Sequence, residues 1–394
     1  MSGLLPFFTI LAAGLLFSEL FKKLHLPYVT ALIIAGFIVG PFGFNLLEVD
    51  ASVEFLGSIG VVFLMFIAGS SVKAKTLKNV GSDSILLAVL NGGIPFFVGA
   101  LIGIIFSGDL LTALIMGTIF ISSSVAVIIP TLESSKLIGT KLGKTIISAT
   151  VFEDIVSLLL LAFIFQEVSG NNDFPLPIYI FVFLGVVLLL RFLVPFAHAW
   201  FHKQRKGKDL FEGELRFIVV VLLAVAIIFE LLGIHAIVAG FIIGMLLSDV
   251  LSKEEINQKI RTISYGIFIP IFFLVIGVKT DLSIFSSLVS VTLIVVVVLG
   301  LVISKTLSGY LAGKVMRYSG RESLIMGIAS LPQLSTTLAV AFAASEINLL
   351  DKDFTTSLVI LSIITTFIAP LIIKLVSSKF SVEKYVEHEQ TEPT

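Results

Sequence analysis

The sequence predicts an all-α polytopic membrane protein with thirteen transmembrane helices. Three observations predict it. Of the 394 residues, 57% are hydrophobic and only 13% charged. The mean hydropathy is +1.10. Apolar runs of roughly 17–25 residues, each able to cross a ~30 Å hydrocarbon core, recur along almost the whole chain. A soluble domain carries about a quarter of its residues as charges, so soluble enzymes and binding modules are excluded. There are no cysteines, which removes disulfides, thiol chemistry and cysteine-bound metals.

Polar residues, glycines and prolines punctuate the hydropathy. They place spans at 4–20, 28–44, 55–71, 83–106, 110–132, 143–166 and 176–200, then at 216–232, 235–248, 262–278, 286–312, 321–345 and 355–378. The first segment has neither a basic leader nor a small-residue cleavage site, so it is expected to be a retained span. Of the 26 lysines and arginines, 22 fall on loops or ends facing one side, only Lys279 and Lys352 face the other, and Arg191 and Lys305 lie inside spans. The positive-inside rule then puts the N-terminus outside and the C-terminus in the cytoplasm of a cell (plasma) membrane protein. The basic stretch "FHKQRKGKDLFEGELR" is explained by this topology, without nucleic acid as a partner.

An odd count has a consequence. Two blocks of six spans, 1–166 and 209–378, joined by a linker helix and cytoplasmic loop (167–208) and followed by a short polar tail (379–394), enter the membrane from opposite sides. Inverted repeats of this kind are a signature of secondary transporters, whose sites lie at the midplane where discontinuous helices meet. The fifth span of each block is interrupted: "ISSSVAVIIP" carries Pro130, and "SLPQLSTTLA" carries Pro332, Gln333 and Ser335. Proline removes a helical hydrogen bond, and clustered hydroxyls and amides satisfy the groups it frees. Hydroxyls of this kind also pack helices together, but their matching places in both blocks favour two crossed, discontinuous helices.

The segment "TVFEDIVSLLLLAF" puts Glu153 and Asp154 side by side deep in the sixth span. Intramembrane carboxylates line a cavity or meet a partner. Neighbours on a helix point about 100° apart, so one can face water while the other meets a counter-charge. Lys305, deep in span 286–312, is the candidate counter-charge.

These stretches resemble the monovalent cation:proton antiporter superfamily, specifically its second family with the NapA-type and Kef-type exchangers. "LPYVTALIIAGFIVGPFG", "LGSIGVVFLMFIAG", "GIHAIVAGFIIGMLLSD", "FIPIFFLVIGVKTDL" and "LVILSIITTFIAPLI" occur in the family's order. The resemblance implies a homodimer in membrane lipid whose core domain moves, exchanging Na⁺, Li⁺ or K⁺ for H⁺. It implies that Asp154 is the ion-binding aspartate, that Glu153 replaces the preceding Asp or Asn, and that Lys305 is the lysine paired with that position in electrogenic members. Ser123 and Ser124 match the break in the first crossed helix. The sequence departs from the family in reading Gly69, Ser70, Ser71 where Gly-Leu-Glu is common, and Gln333, Leu334, Ser335 where Arg-Gly-Glu is common. The sequence stops about sixteen residues past its last span, so the Kef-type nucleotide-sensing domain is not expected, nor is any cofactor.

The expected mechanism is competition. A midplane carboxylate holds either a proton or a hard monovalent cation on the same oxygens. If the loaded core moves and the empty, charged core does not, competition becomes exchange. Asp154 would be the shared site for the monovalent cation and the proton, Ser123, Ser124 or backbone carbonyls at the breaks would complete the oxygen shell together with water, and Glu153 with Lys305 would handle a second proton. The expected activity is electrogenic Na⁺ (or Li⁺)/H⁺ antiport. The same residues serve K⁺/H⁺ exchange, and a Na⁺-coupled organic-anion symporter shares the repeat logic. An intramembrane aspartyl protease would need a second mid-span aspartate, which the sequence lacks, so no enzymatic activity is expected.

Overall fold

The structure is a computed structural model describing residues 4–22, 27–47, 50–72, 81–168, 176–204, 212–232, 234–251 and 254–377. In chain order, the helices of the first half are α1 (Leu4–Lys22), α2 (Tyr28–Val39), α3 (Ala51–Ser70), α4 (Ser82–Ser107), α5 (Leu110–Ile121), α6 (Val125–Ser134) and α7 (Lys141–Val168). They continue with α8 (Leu176–Gln204), α9 (Gly213–Leu231), α10 (Ala236–Leu246), α11 (Glu254–Ile263) and α12 (Ile269–Lys279). The last are α13 (Leu288–Val315), α14 (Gly320–Ala329), α15 (Ser335–Glu346) and α16 (Lys352–Ser377). Among the described residues nine segments are long and apolar enough to cross a membrane, and α2 and α10 are apolar but shorter. This is an all-helical, multi-pass membrane protein. The tail 379–394 and most of the basic loop before α9 lie outside the described residues.

Three local differences from the sequence reading have physical causes. The second span stops at Val39, where Gly40 takes an extended conformation and caps Gly36. The tenth starts earlier, at Glu254, and passes through a π-helical turn, Ser264–Phe268, before Pro270; a wider turn accommodates a ring that cannot donate to the ladder. The first interruption falls at 122–124, whereas Pro130 lies exposed inside α6.

The helices gather into two compact units, each drawn from three stretches of chain. The first comprises Met1–Lys78, Leu158–Ile284 and Ala339–Thr356. Within it α2 packs on α12 and α3 on α10. Glycine permits the first crossing reciprocally, since a Cβ at Gly36 would overlap the Leu274 carbonyl and one at Gly277 the Ile33 carbonyl. Lys279 pairs with Glu54 at 2.9 Å, and His235 caps α10 by accepting the Ile237 N–H on Nδ1 at 3.3 Å.

The second unit comprises Asn79–Ser157, Phe285–Leu338 and Ser357–Thr394. Here α4 packs on α5 and α13, and α13 on α14. Leu87, Ile128, Leu142, Ile325, Met326 and Ile373 belong to its apolar core. The α4–α5 contact is close because of α4's glycines. A Cβ at Gly99 would lie 2.6 Å from the Met116 carbonyl oxygen, and one at Gly103 2.6 Å from the Ala113 Cα. At Gly93 on the same helix it would meet nothing within 4 Å. Overpacking a tight contact costs about 1–3 kcal/mol. Gly103→Val is therefore expected to lower the melting temperature of the purified protein, and Gly93→Ala to leave it unchanged or raise it.

Asp109 starts α5 as its N-cap, accepting the Thr112 N–H at 2.8 Å and the Thr112 hydroxyl at 3.0 Å. The Thr112 N–H, first among several donors, holds this exposed carboxyl below its ordinary value. Its stabilising effect is present above the unfolded-state value and lost as pH falls through the folded one. Asp109→Ala is expected to cost about 1 kcal/mol at neutral pH, and progressively less in melts at acid pH.

Candidate functional site

Helix α5 ends at Ile121 and resumes as α6 at Val125; α14 ends at Ala329 and the chain resumes helix at Ser335. Each interruption exposes backbone groups that an apolar interior cannot leave unpaired. In the second unit the two interruptions satisfy one another. The Ser124 N–H donates to the Pro332 carbonyl at 2.7 Å. The Gln333 amide donates to the Ser122 carbonyl at 2.6 Å, and the Ser123 hydroxyl lies 2.9 Å from the Ser330 carbonyl. Gln333 also accepts the Thr337 hydroxyl on its side chain and donates its own N–H to Thr365 Oγ1 at 3.1 Å.

Lys305, 0% exposed on α13, reaches this junction. Its ammonium has three protons and finds three acceptors: the Ile121 carbonyl at 2.6 Å, Ser123 Oγ at 3.0 Å and Glu153 Oε2 at 3.0 Å. The Ile121 carbonyl is the last of α5, where the helix dipole is negative. Glu153, 1% exposed, is equally occupied. Its Oε2 meets Lys305, with the Ser123 hydroxyl also 3.0 Å away, and its Oε1 accepts the Asn91 amide at 2.9 Å. Asn91 is held in turn by the Ser308 hydroxyl at 2.9 Å.

Asp154 is placed differently. It is 4% exposed and has no ion-pair partner among the described residues. Its Oδ1 accepts the Thr336 hydroxyl, from the first turn of α15, at 3.2 Å, and the Ser123 backbone N–H faces it. In the first interruption, next to Ser123, the buried Ser124 hydroxyl has no hydrogen-bond partner among the described residues. One carboxylate is thus saturated, and its neighbour retains lone pairs. The site can hold a proton or a hard cation at Asp154 while keeping a compensated ion pair beside it.

The family description "sodium/hydrogen exchanger, transmembrane" matches residues 7–379. The chain belongs to the sodium/hydrogen exchanger family. A relative described as probable Na⁺/H⁺ antiporter 3 of Methanocaldococcus jannaschii is 33% identical over 379 residues, covering 93% of this chain and 95% of that one. The Na⁺/H⁺-K⁺ antiporter GerN of Bacillus cereus is 28% identical over 371 residues, covering 93% and 94%. Among solved structures, the sodium proton antiporter MjNhaP1 from M. jannaschii at pH 8 superposes with a TM-score of 0.68 at 17% identity, over 94% of this chain and 96% of that one. That likeness is one of fold.

Within this exchanger, the structure brings together Glu153, Lys305 and Ser123 by direct bonds, and joins the interruption at Ser122–Ser124 to Pro332 and Gln333. Ser335 is the buried first residue of α15. Pro130 is not part of the junction. Sequence reasoning missed Asn91, Ser308, Thr336, Thr337 and Thr365. Two signals were there: Thr336 and Thr337 belong to the hydroxyl cluster of "SLPQLSTTLA", and Asn91 is an amide in the apolar run "AVLNGGIPFF" of α4.

Removing one member of a buried ion pair strands the other, at about 3–5 kcal/mol, whereas replacing both by apolar groups is often close to neutral. Glu153→Leu and Lys305→Met are each expected to lower the melting temperature in detergent. The double variant is expected to recover most of that loss.

Proposed function

We propose that this chain is a secondary active antiporter that exchanges Na⁺, or Li⁺, for H⁺, with Asp154 as the site the two ions share. One observation carries the reading: a buried carboxylate with no ion-pair partner among the described residues sits where two helix interruptions meet, beside an ion pair whose donors are all engaged. Water and the unpartnered Ser124 hydroxyl supply further oxygens for a cation, with Ser123 forming part of the same shell. The relatives' descriptions as Na⁺/H⁺ antiporters agree with this.

Exchange follows from competition. Asp154 carries either a proton or a cation, and the core bearing it moves between inward and outward access only when one of them is bound. Glu153 and Lys305 neutralise each other in the cation-free state. Protonation of Glu153, or proton loss from Lys305, adds a second proton per cycle and makes the exchange electrogenic.

The architecture we infer is thirteen spans in two inverted six-helix repeats joined by the linker helix α8. Its support is the pattern of packing. Exchanging the repeats converts the α4–α5 contact into α13–α14, and α2–α12 into α10–α3, and all four contacts occur. The unit carrying Asp154 likewise takes its helices from both repeats. The remaining features of this reading are a homodimer in the plasma membrane, an outside N-terminus and a cytoplasmic C-terminus.

In proteoliposomes holding a pH gradient, Na⁺ or Li⁺ is expected to collapse the gradient and choline to leave it. Asp154→Asn is expected to return the signal to that of protein-free vesicles. The GerN description favours K⁺ as a second substrate, which a K⁺ arm of the assay decides. No response to any of these cations would refute the reading. On a solid-supported membrane, a Na⁺ jump is expected to move charge; exchange without charge movement would refute electrogenicity.

A further inference from the structure

Helix α8 carries, in mid-span, a charge that the exchange chemistry does not use. Its apolar stretch runs from Phe181 to Phe201, and Arg191 stands at the centre of those 21 residues. Either end lies about 15 Å away at 1.5 Å per residue, and an arginine side chain covers only part of that distance. Only 22% of the stretch is buried, and Arg191 is exposed on it. Leu184, Leu188 and Pro195, at helical spacing from it on the same face, are exposed as well. Among the described residues the guanidinium has no ion-pair or hydrogen-bond partner. Glu214, at the level of His198 two turns further along α8, is engaged by that histidine at 2.9 Å.

The same place has a second unmet group. Pro195 lies inside α8. It has no N–H, so the carbonyl of the residue four before it, Arg191, loses its helical donor. One residue thus presents a cationic donor fork and a backbone acceptor, and hydrocarbon satisfies neither.

We propose that Arg191 and its own carbonyl form a binding site for the headgroup of an anionic phospholipid that carries a hydroxyl, of the phosphatidylglycerol class. The phosphate accepts from the guanidinium fork, and a headgroup hydroxyl donates to the carbonyl. A lipid from the leaflet at the C-terminal end of α8 fits this order. Its chains run along Leu188 and Leu184, and its headgroup extends toward the end to which helical carbonyls point. Local thinning of the bilayer, with headgroups drawn inward, is one way a membrane accommodates such a charge.

A second copy of the chain suits the site less well. A two-fold contact sets a patch against itself, so Arg191 would meet Arg191. The mid-span carboxylates Glu153 and Asp154 are buried, and the exposed Glu19 and Glu230 lie in the last turns of α1 and α9. Inorganic phosphate would have to shed its water to reach this depth, whereas a lipid phosphate arrives tethered to its chains.

The test is fluorescence quenching of the full chain in phosphatidylcholine bilayers. Trp200 is the single tryptophan, so Trp200→Phe combined with Leu188→Trp leaves one reporter a turn from Arg191. The quenchers are brominated phosphatidylglycerol, brominated phosphatidylcholine and brominated phosphatidylmethanol, the last having the same charge as the first and no headgroup hydroxyl. Quenching is expected to favour phosphatidylglycerol over phosphatidylcholine about fivefold, and over phosphatidylmethanol by a smaller factor. Arg191→Leu, which leaves an apolar residue on an exposed membrane face and so keeps the fold, is expected to abolish the first preference. Pro195→Ala, which returns the missing donor, is expected to abolish only the second. Equal quenching by phosphatidylglycerol and phosphatidylcholine, or a preference that survives Arg191→Leu, would overturn the site. No quenching by any of the three would mean that protein covers this face, and would overturn it too. Equal quenching by phosphatidylglycerol and phosphatidylmethanol would overturn the role of the carbonyl. None of these readouts requires transport.

Discussion

Much of the second unit depends on one buried ammonium. Lys305 binds the last carbonyl of α5, the hydroxyl of the first interruption and the carboxylate of Glu153 at once. Without that positive charge, Glu153 would be an uncompensated anion in an apolar interior, at a cost of several kcal/mol. The frayed end of α5 would also lose the partner of its Ile121 carbonyl. The interruption of a membrane helix is tolerable here because the groups it frees are met by Lys305, Gln333 and the other interruption.

That arrangement gives two adjacent carboxylates different work. Helical geometry turns Glu153 toward α4 and α13, where an amide and an ammonium saturate it, and turns Asp154 toward α15, where the Thr336 hydroxyl and the Ser123 N–H meet it with no counter-charge paired to it among the described residues. A saturated carboxylate resists a cation, because binding one requires breaking bonds already made. A carboxylate with lone pairs to spare accepts one. Gln333 contributes neutrality as well as bonds: it holds the interruptions together without adding a second positive charge beside Lys305.

Much of this was legible in the sequence because its signals are local. Glu153, Asp154 and Lys305 stand out as charges inside long apolar runs. The hydroxyl clusters likewise mark both interruptions. Pro130 misled because proline is a strong local signal, whereas the interruption lies where distant partners compensate it: Ser124 bonds Pro332, and Gln333 bonds Ser122 across 211 residues. Asn91 and Ser308 belong to the same class. Their mutual bond spans 217 residues, and no periodicity within α4 or α13 announces it. The end of α2 and the π turn before α12 were missed for a smaller reason, that one glycine or proline shifts a boundary without changing the hydropathy around it.

The central claim is that a proton and a cation compete for Asp154. It is tested most directly by adding Na⁺ to the purified protein in weakly buffered solution and following proton release. The account predicts release that saturates with Na⁺, needs more Na⁺ as the starting pH falls, and disappears in Asp154→Asn. Na⁺ binding with no proton release, or release undiminished in Asp154→Asn, would contradict it.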